Sequence, residues 1–161
     1  MIYLRLKCMK LVLQRVLSSS VDVGLETINS IGKGYLILLG IEKDDSEDDC
    51  EILSSKILDL RIFEDNSGKM NLSINDVGGE ILVVSNFTIC ANCKNGRRPS
   101  FSLAEKPSKS YLLYKKFCEH LEQIGANKIK KGVFGANMRV NIVNDGPVTI
   151  VLDSKELKNK C

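Results

Sequence analysis

The chain has one histidine in 161 residues, His120, and it falls in the charged stretch "KKFCEHLEQI". Any Ser-His or Cys-His nucleophilic scheme would have to use this residue, and its setting beside an apolar stripe reads as a helix surface. No phosphate loop, GxGxxG or HExxH occurs either. No apolar run approaches the roughly 20 residues of a membrane span. The N-terminal "MIYLRLKCMK" lacks both the long apolar region and the small-residue cleavage site of a signal peptide, so the expected compartment is the cytoplasm. Met9 is a second candidate start. Charge of either sign is in little excess: a net +3 neither demands nor excludes a nucleic-acid partner, because binding depends on where the charges sit.

Six cysteines are present, at irregular spacing that does not form a disulfide framework, and in the cytoplasm most should be reduced and act as small hydrophobes. Cys90-Ala-Asn-Cys93 has CxxC spacing, so redox and zinc chemistry must be weighed. Zinc would need about two more ligands, and no second CxxC exists. A thioredoxin-like site places its first cysteine at a helix N-terminus, whereas "KNGRRP" follows here, which reads as a loop. Chance spacing is the better reading, with a thiol-redox protein as the remote rival. No metal and no cofactor is expected.

With 43% apolar and 27% charged residues the chain is composed like a globular protein, and its length suits one domain. Met9 to Val23, Ile28 to Ile31 and the buried runs "YLILLGIE" and "EILVVSNFTI" read as strands. "RIFEDNSGKMNLSI" reads as a hairpin turning at Asn66-Ser67-Gly68. "SEDDCEILSSKILDL" has Ser46 and Asp49 at capping-box spacing and a stripe of Cys50, Leu53, Ile57 and Leu60, which predicts a helix. A second helix is expected with Ser108 as its cap, Tyr114, Phe117, Leu121 and Ile124 on one face, and Gly125 at its end. The segment from Cys90 to Lys109 is the longest irregular stretch. Strands return at "KKGVFG", "MRVNIVN" and "PVTIVLD". The expected fold class is α+β: a compact β-rich, barrel-like or roll-like single domain with two amphipathic helices.

Without side-chain acid-base equipment, the remaining catalytic resource is backbone N–H and C=O held in unusual conformations. Two strand-end stretches could present such groups, Ser85-Asn-Phe-Thr88 and Asn144-Asp-Gly-Pro-Val-Thr149. Together with "QRV" at Gln14 to Val16, "GKMNLS" at Gly68, "GRRPSF" at Gly96 and "FGANM" at Phe134, they closely resemble the D-aminoacyl-tRNA deacylases. The motifs run in order from Met9 to about Ser154. A domain of residues 9–154 is thereby expected, flanked by an N-terminal extension, 1–8, and a basic tail, 155–161.

The resemblance implies a homodimeric enzyme that hydrolyses the ester joining a D-amino acid to the terminal adenosine of tRNA, with some leakage onto glycyl-tRNA. It implies a cis Gly146-Pro147 bond that reaches the partner subunit's site and holds the substrate's amino group. A rigid backbone wall there leaves room for hydrogen but none for an L side chain. Arg15 would brace this loop by donating to its carbonyls, Phe134 and Met138 would line the adenosine pocket, and Arg97 and Arg98 would contact phosphates. Ser85, Phe87 and Thr88 would form the catalytic turn, with Thr88 in a positioning role. N–H groups near Phe87 and Thr88 would steady the oxyanion while the ribose 2′-hydroxyl assists water. Asn86 departs from the family's glutamine and keeps the amide with one methylene fewer. That change leaves open a non-catalytic relative that binds a tRNA 3′ end.

Overall fold

The computed structural model describes residues 9–158. The extension at 1–8 and the end of the tail, 159–161, lie outside the described residues.

The longest early strand is β1 (Lys10–Val23), and it organises the sheet. Its first half pairs antiparallel with β3 (Gly34–Gly40) and its second half with β2 (Glu26–Ile31). Along its other edge it pairs with β8 (Met138–Asp153) over nearly its whole length. β3 continues the sheet in parallel to β6 (Glu80–Ser85), and β6 in parallel to β7 (Lys128–Lys131). The sheet curls until β2 and β7 meet without a backbone ladder. Asn29 Nδ2 donates to the Lys131 carbonyl at 2.7 Å, Lys130 Nζ to the Ser30 carbonyl at 2.5 Å, and the Gly32 N–H to Glu80 Oε2 at 2.8 Å. The result is a nearly closed barrel in which side-chain bonds cover strand edges that would otherwise be exposed.

The continuous apolar runs are explained by burial on both faces of β3 and β6. Tyr35, Ile37, Leu39, Ile81 and Val83 face the larger core under the helices, while Leu36, Leu82 and Val84 face a smaller one with Val16, Val21 and Ile31. Helix α1 (Glu47–Asp59) begins at the expected capping box, and Cys50, Leu53 and Ile57 are buried; Leu60 is its C-cap. Between α1 and β6 the expected hairpin forms from β4 (Phe63–Glu64) and β5 (Met70–Leu72), held at its turn by Asp65, which accepts from the Ser67 and Lys69 N–H groups.

Helix α2 (Pro107–Gln123) departs from expectation at both ends. Its cap is Lys106 with Pro107 as first residue, because proline supplies the helical φ and needs no acceptor there. Ser108 therefore lies inside the first turn. Tyr114, Phe117 and Leu121 are buried as expected, but Ile124 is past the last helical turn and exposed, with Gly125 following at φ +94°. His120 is not a bare surface residue: its Nδ1 lies 2.6 Å from the Oγ of fully buried Ser54 on α1, and Ser54 donates to the Cys50 carbonyl. The pair joins the two helices. A third helix, α3 (Ser154–Lys158), was not expected. It docks on α1 through Asp49, whose Oδ1 accepts from Ser154 Oγ at 2.6 Å and pairs with Lys158 at 2.8 Å.

Asp45, before α1, is the least comfortable charge in this framework. One of its oxygens accepts from the Glu42 N–H at 2.7 Å; the other is buried without a partner. Burial, followed by the nearby Asp49 and Glu42 carboxylates, pushes its pKa up to about 7 against the opposing pull of that N–H bond and of Lys109. From roughly pH 4 to 7 the folded chain then holds a proton that the unfolded chain has released, so stability drops as pH rises through that window. Asp45→Asn keeps the acceptor and removes the charge. Its urea midpoint should match that of the unsubstituted protein near pH 4 and exceed it at about pH 8; a gap that does not open with pH would show that Asp45 ionises freely.

Candidate active site

A 3-10 turn, Phe87–Cys90, follows β6 directly and folds back against the end of β3. Gly40 permits this approach, since a Cβ there would lie 3.0 Å from Cys90 Sγ and 3.2 Å from the Asn86 carbonyl oxygen. Asn86 caps the turn. Its Oδ1 accepts from the Thr88 N–H at 3.2 Å and, in a shorter contact, from the Thr88 hydroxyl. The Thr88 N–H is therefore already occupied. The first N–H of the turn, that of Phe87, has no acceptor among the described residues.

This turn floors a cleft of about 800 Å3. Ser85, Asn86, Phe87 and Thr88 lie on one side, and Phe134, Gly135, Ala136, Asn137 and Met138 on another. Leu38, Leu39, Ile41, Val84, Val140 and Ile142 add apolar surface, and Phe101, Ala104, Glu105, Pro107 and Ser110 complete the lining. Phe134 and Met138, expected at an adenosine site, thus share one cavity with the expected catalytic turn. Phe101 reinforces it, its ring edge-on to Phe87 at 5.1 Å. Glu105 is the only ionisable side chain in the lining. Hydrogen bonds from the Lys106 N–H and from Lys109 hold its carboxyl below the usual range, so it is a weak base. The walls suit a planar apolar ligand, and the polar groups belong largely to backbone, hydroxyl and amide.

Gly146 and Pro147 lie elsewhere. Their peptide bond is cis, and both residues are exposed and outside the lining of their own chain's cleft. They interrupt the β1–β8 ladder: Gln14 pairs with Thr149 and Val16 with Asn144, so Arg15 alone stands opposite Asp145, Gly146, Pro147 and Val148. The four residues form an enlarged bulge, and a bulge is where a strand tolerates proline, because no ladder bond is asked of it. Arg15 is buried beneath. Its Nη1 donates to the Ile62 carbonyl at 2.6 Å, and its Nε lies 3.0 Å from Asp145 Oδ2, near enough for an ion pair but not aligned for a hydrogen bond. The guanidinium therefore braces the bulge through Asp145 rather than through the Gly146 and Pro147 carbonyls. Sequence reading missed Asp145, although its place beside Gly146 was the signal available.

Arg97 and Arg98 are exposed on a tip closed by paired backbone bonds between Asn92 and Ser100. They do not line the cleft, but Phe101 beyond them does. Cys90 is buried, and burial pushes its thiol up to about 12, which suppresses the thiolate that redox or zinc chemistry requires. Cys93 is exposed and unbridged, and the described residues contain no cluster of three potential metal ligands. Nor, among them, is any helix long and apolar enough to cross a membrane.

The model of the D-Tyr-tRNA(Tyr) deacylase family matches residues 12–153. A D-aminoacyl-tRNA deacylase of Thermosipho melanesiensis is 52% identical over 92% of this chain and 99% of its own length. One from Clostridium botulinum is 51% identical over 92% and 99%. Among solved structures, one described as c-Myc DNA Unwinding Element Binding Protein is 46% identical, covering 89% of this chain and 97% of its own, with a TM-score of 0.84. Another, described as a probable eukaryotic D-amino acid tRNA deacylase, shares the fold at 17% identity, with a TM-score of 0.78 over 91% of this chain and 99% of its own.

The bulge has no slack at Gly146. Its φ is +112°, and a Cβ would sit 2.9 Å from Arg15 Nη2 and 3.0 Å from Val148 Cγ2. Gly146→Ala should cost about 1–3 kcal/mol in urea unfolding, the usual range for a non-glycine residue held in a disfavoured region. An unchanged midpoint would mean the bulge relaxes freely.

Proposed function

The chain belongs to the D-Tyr-tRNA(Tyr) deacylase family, and from that premise we propose how its cleft hydrolyses the ester of D-aminoacyl-tRNA as a proofreading step in translation. The observation that carries the reading is a largely apolar cleft whose one carboxylate is tied up, with an unoccupied backbone N–H, that of Phe87, at its floor.

The terminal adenosine of the tRNA inserts its base between Phe134 and Met138, which sets the ester over the 3-10 turn. Water adds to the carbonyl carbon, the bond to the ribose 3′-oxygen breaks, and that oxygen leaves with a proton. The adjacent 2′-hydroxyl, held in place by the bound ribose, relays the proton, so binding supplies the geometry that a side-chain base would otherwise provide. The Phe87 N–H faces the oxyanion, where one preorganised donor contributes a few kcal/mol. Thr88 is a positioning residue. Its hydroxyl donates to an amide oxygen, which cannot take a proton from it, so it lacks the neighbouring base that a nucleophile needs.

Chiral selection comes from Gly146 and Pro147 of a second copy, whose carbonyls meet the substrate's amino group and whose backbone excludes an L side chain. Glycine, with no side chain to exclude, leaks through. Support for an intersubunit arrangement is that Gly146 and Pro147 do not line their own chain's cleft and that Leu17, Val143 and Val151 are exposed apolar side chains on β1 and β8 outside that lining. Arg97 and Arg98 contact phosphates, and the enzyme works in the cytoplasm, where its substrate is made.

Release of the amino acid from D-tyrosyl-tRNA, with L-tyrosyl-tRNA untouched and chelator without effect, is the expected result. Equal indifference to both substrates would leave a tRNA-end binder. Thr88→Val should lower kcat by no more than about 10²-fold, the scale of a positioning loss. A drop on the order of 10⁶, as follows deletion of a nucleophile, would overturn that role.

A further inference from the structure

Three aromatic rings run outward from the core past the cleft. Tyr114 is buried, and its hydroxyl donates to the Val83 carbonyl at 2.9 Å, which fixes the ring. Phe134, in the cleft wall, lies 5.8 Å from it by ring centroid. Tyr111 lies 5.2 Å from Phe134 by ring centroid, directly after the lining residue Ser110 and itself outside the lining, and is 45% exposed. One helical turn on, Lys115 places its ammonium 5.8 Å from the Tyr111 ring. Nothing in the reaction at the 3-10 turn uses Tyr111 or Lys115.

An exposed aromatic ring, backed by a second ring and attended by a cation, is the arrangement with which proteins hold single-stranded nucleic acid: the base stacks and the cation meets the phosphate. Phe134 belongs to the proposed adenosine site, so the next ring outward lies one base further along the same strand. We propose that Tyr111 is a stacking platform for the nucleotide preceding the terminal adenosine of the substrate, with Lys115 facing the phosphate between them. The inference rests on the adenosine placement above. It makes Tyr111 a binding residue for the polynucleotide, apart from the chemistry at the ester.

Two substrates separate these levels: D-tyrosyl-tRNA, and D-tyrosyl-adenosine, which carries the ester and terminal nucleoside but no preceding base. Tyr111→Ala should raise KM for D-tyrosyl-tRNA by about tenfold, within the range for loss of one stacked base, with kcat unchanged. On D-tyrosyl-adenosine the same variant should match the unsubstituted enzyme. Tyr111→Phe should keep low KM on tRNA, whereas Tyr111→Leu, apolar but not aromatic, should behave as alanine does. Lys115→Met should raise KM on tRNA alone and flatten its salt dependence. Equal loss on both substrates would mean that Tyr111 merely supports Phe134, and would overturn the proposal. So would no loss on either, or rescue by leucine. If the unsubstituted enzyme releases amino acid from neither substrate, the functional reading itself fails.

Discussion

The double pairing of β1 is the constraint on which the molecule depends. A strand bonded along both edges cannot shift register without breaking two ladders, and a one-residue slip would turn every buried side chain to the wrong face. Leu11, Leu13, Val16 and Val21 are all buried, so the register is held by core packing as well as by hydrogen bonds. Against so rigid a strand, an excess of residues in β8 has one outlet, outward bulging, and it occurs opposite Arg15. The side chain that would otherwise sit under a gap fills it. Arg15 lies 6.0 Å from the Phe63 ring centroid and binds the Ile62 carbonyl, so the bulge is anchored to the chain that leads into the β4–β5 hairpin.

The same rigidity makes backbone chemistry workable. A donor that stabilises charge must be in place before the charge develops, and a main-chain N–H is held as firmly as the elements that flank it. The 3-10 turn is flanked by the end of β6, bonded from the Asn86 N–H to the Leu39 carbonyl at 2.8 Å, and by Gly40, which lets the turn pack against β3. The cleft is then built from two kinds of surface. Side chains form its apolar walls, while the polarity beside them is fixed by the chain itself.

Much of this was legible in the sequence where a feature was local. The Ser46–Asp49 capping box, the Asn66-Ser67-Gly68 turn and the apolar runs of β3 and β6 are each set by residues a few positions apart, and each appears as expected, except that the strand read over 80–89 ends at Ser85 and gives way to the 3-10 turn Phe87–Cys90. Contacts distant in sequence were not legible. Nothing in "ETINSI" says that Asn29 will bond the Lys131 carbonyl across the closing seam, and nothing in the tail says that Ser154 and Lys158 will meet Asp49 and fold into a helix. At the site, residues that the resemblance named from two separate motifs, Asn86 to Thr88 and Phe134 with Met138, line one cleft. The direction of each donor was out of reach, because it depends on which carbonyl or carboxylate the fold brings near. Arg15 went to Ile62 and Asp145 for that reason.

Asn86 shows how a local choice of side chain fixes the hydrogen bonding of a whole turn. An asparagine reaches the N–H two residues ahead within one tight turn, a bond its short side chain makes readily. Here that bond captures both the N–H and the hydroxyl of Thr88. Two donors are thereby committed to holding the turn, and the neighbouring Phe87 N–H is left without an acceptor among the described residues. A glutamine would carry the same amide one methylene further from the turn, with more freedom to point into the cleft. At this position asparagine therefore trades reach toward a ligand for a fixed turn. Its Oδ1 is spent inside the protein, where it accepts from both donors of Thr88.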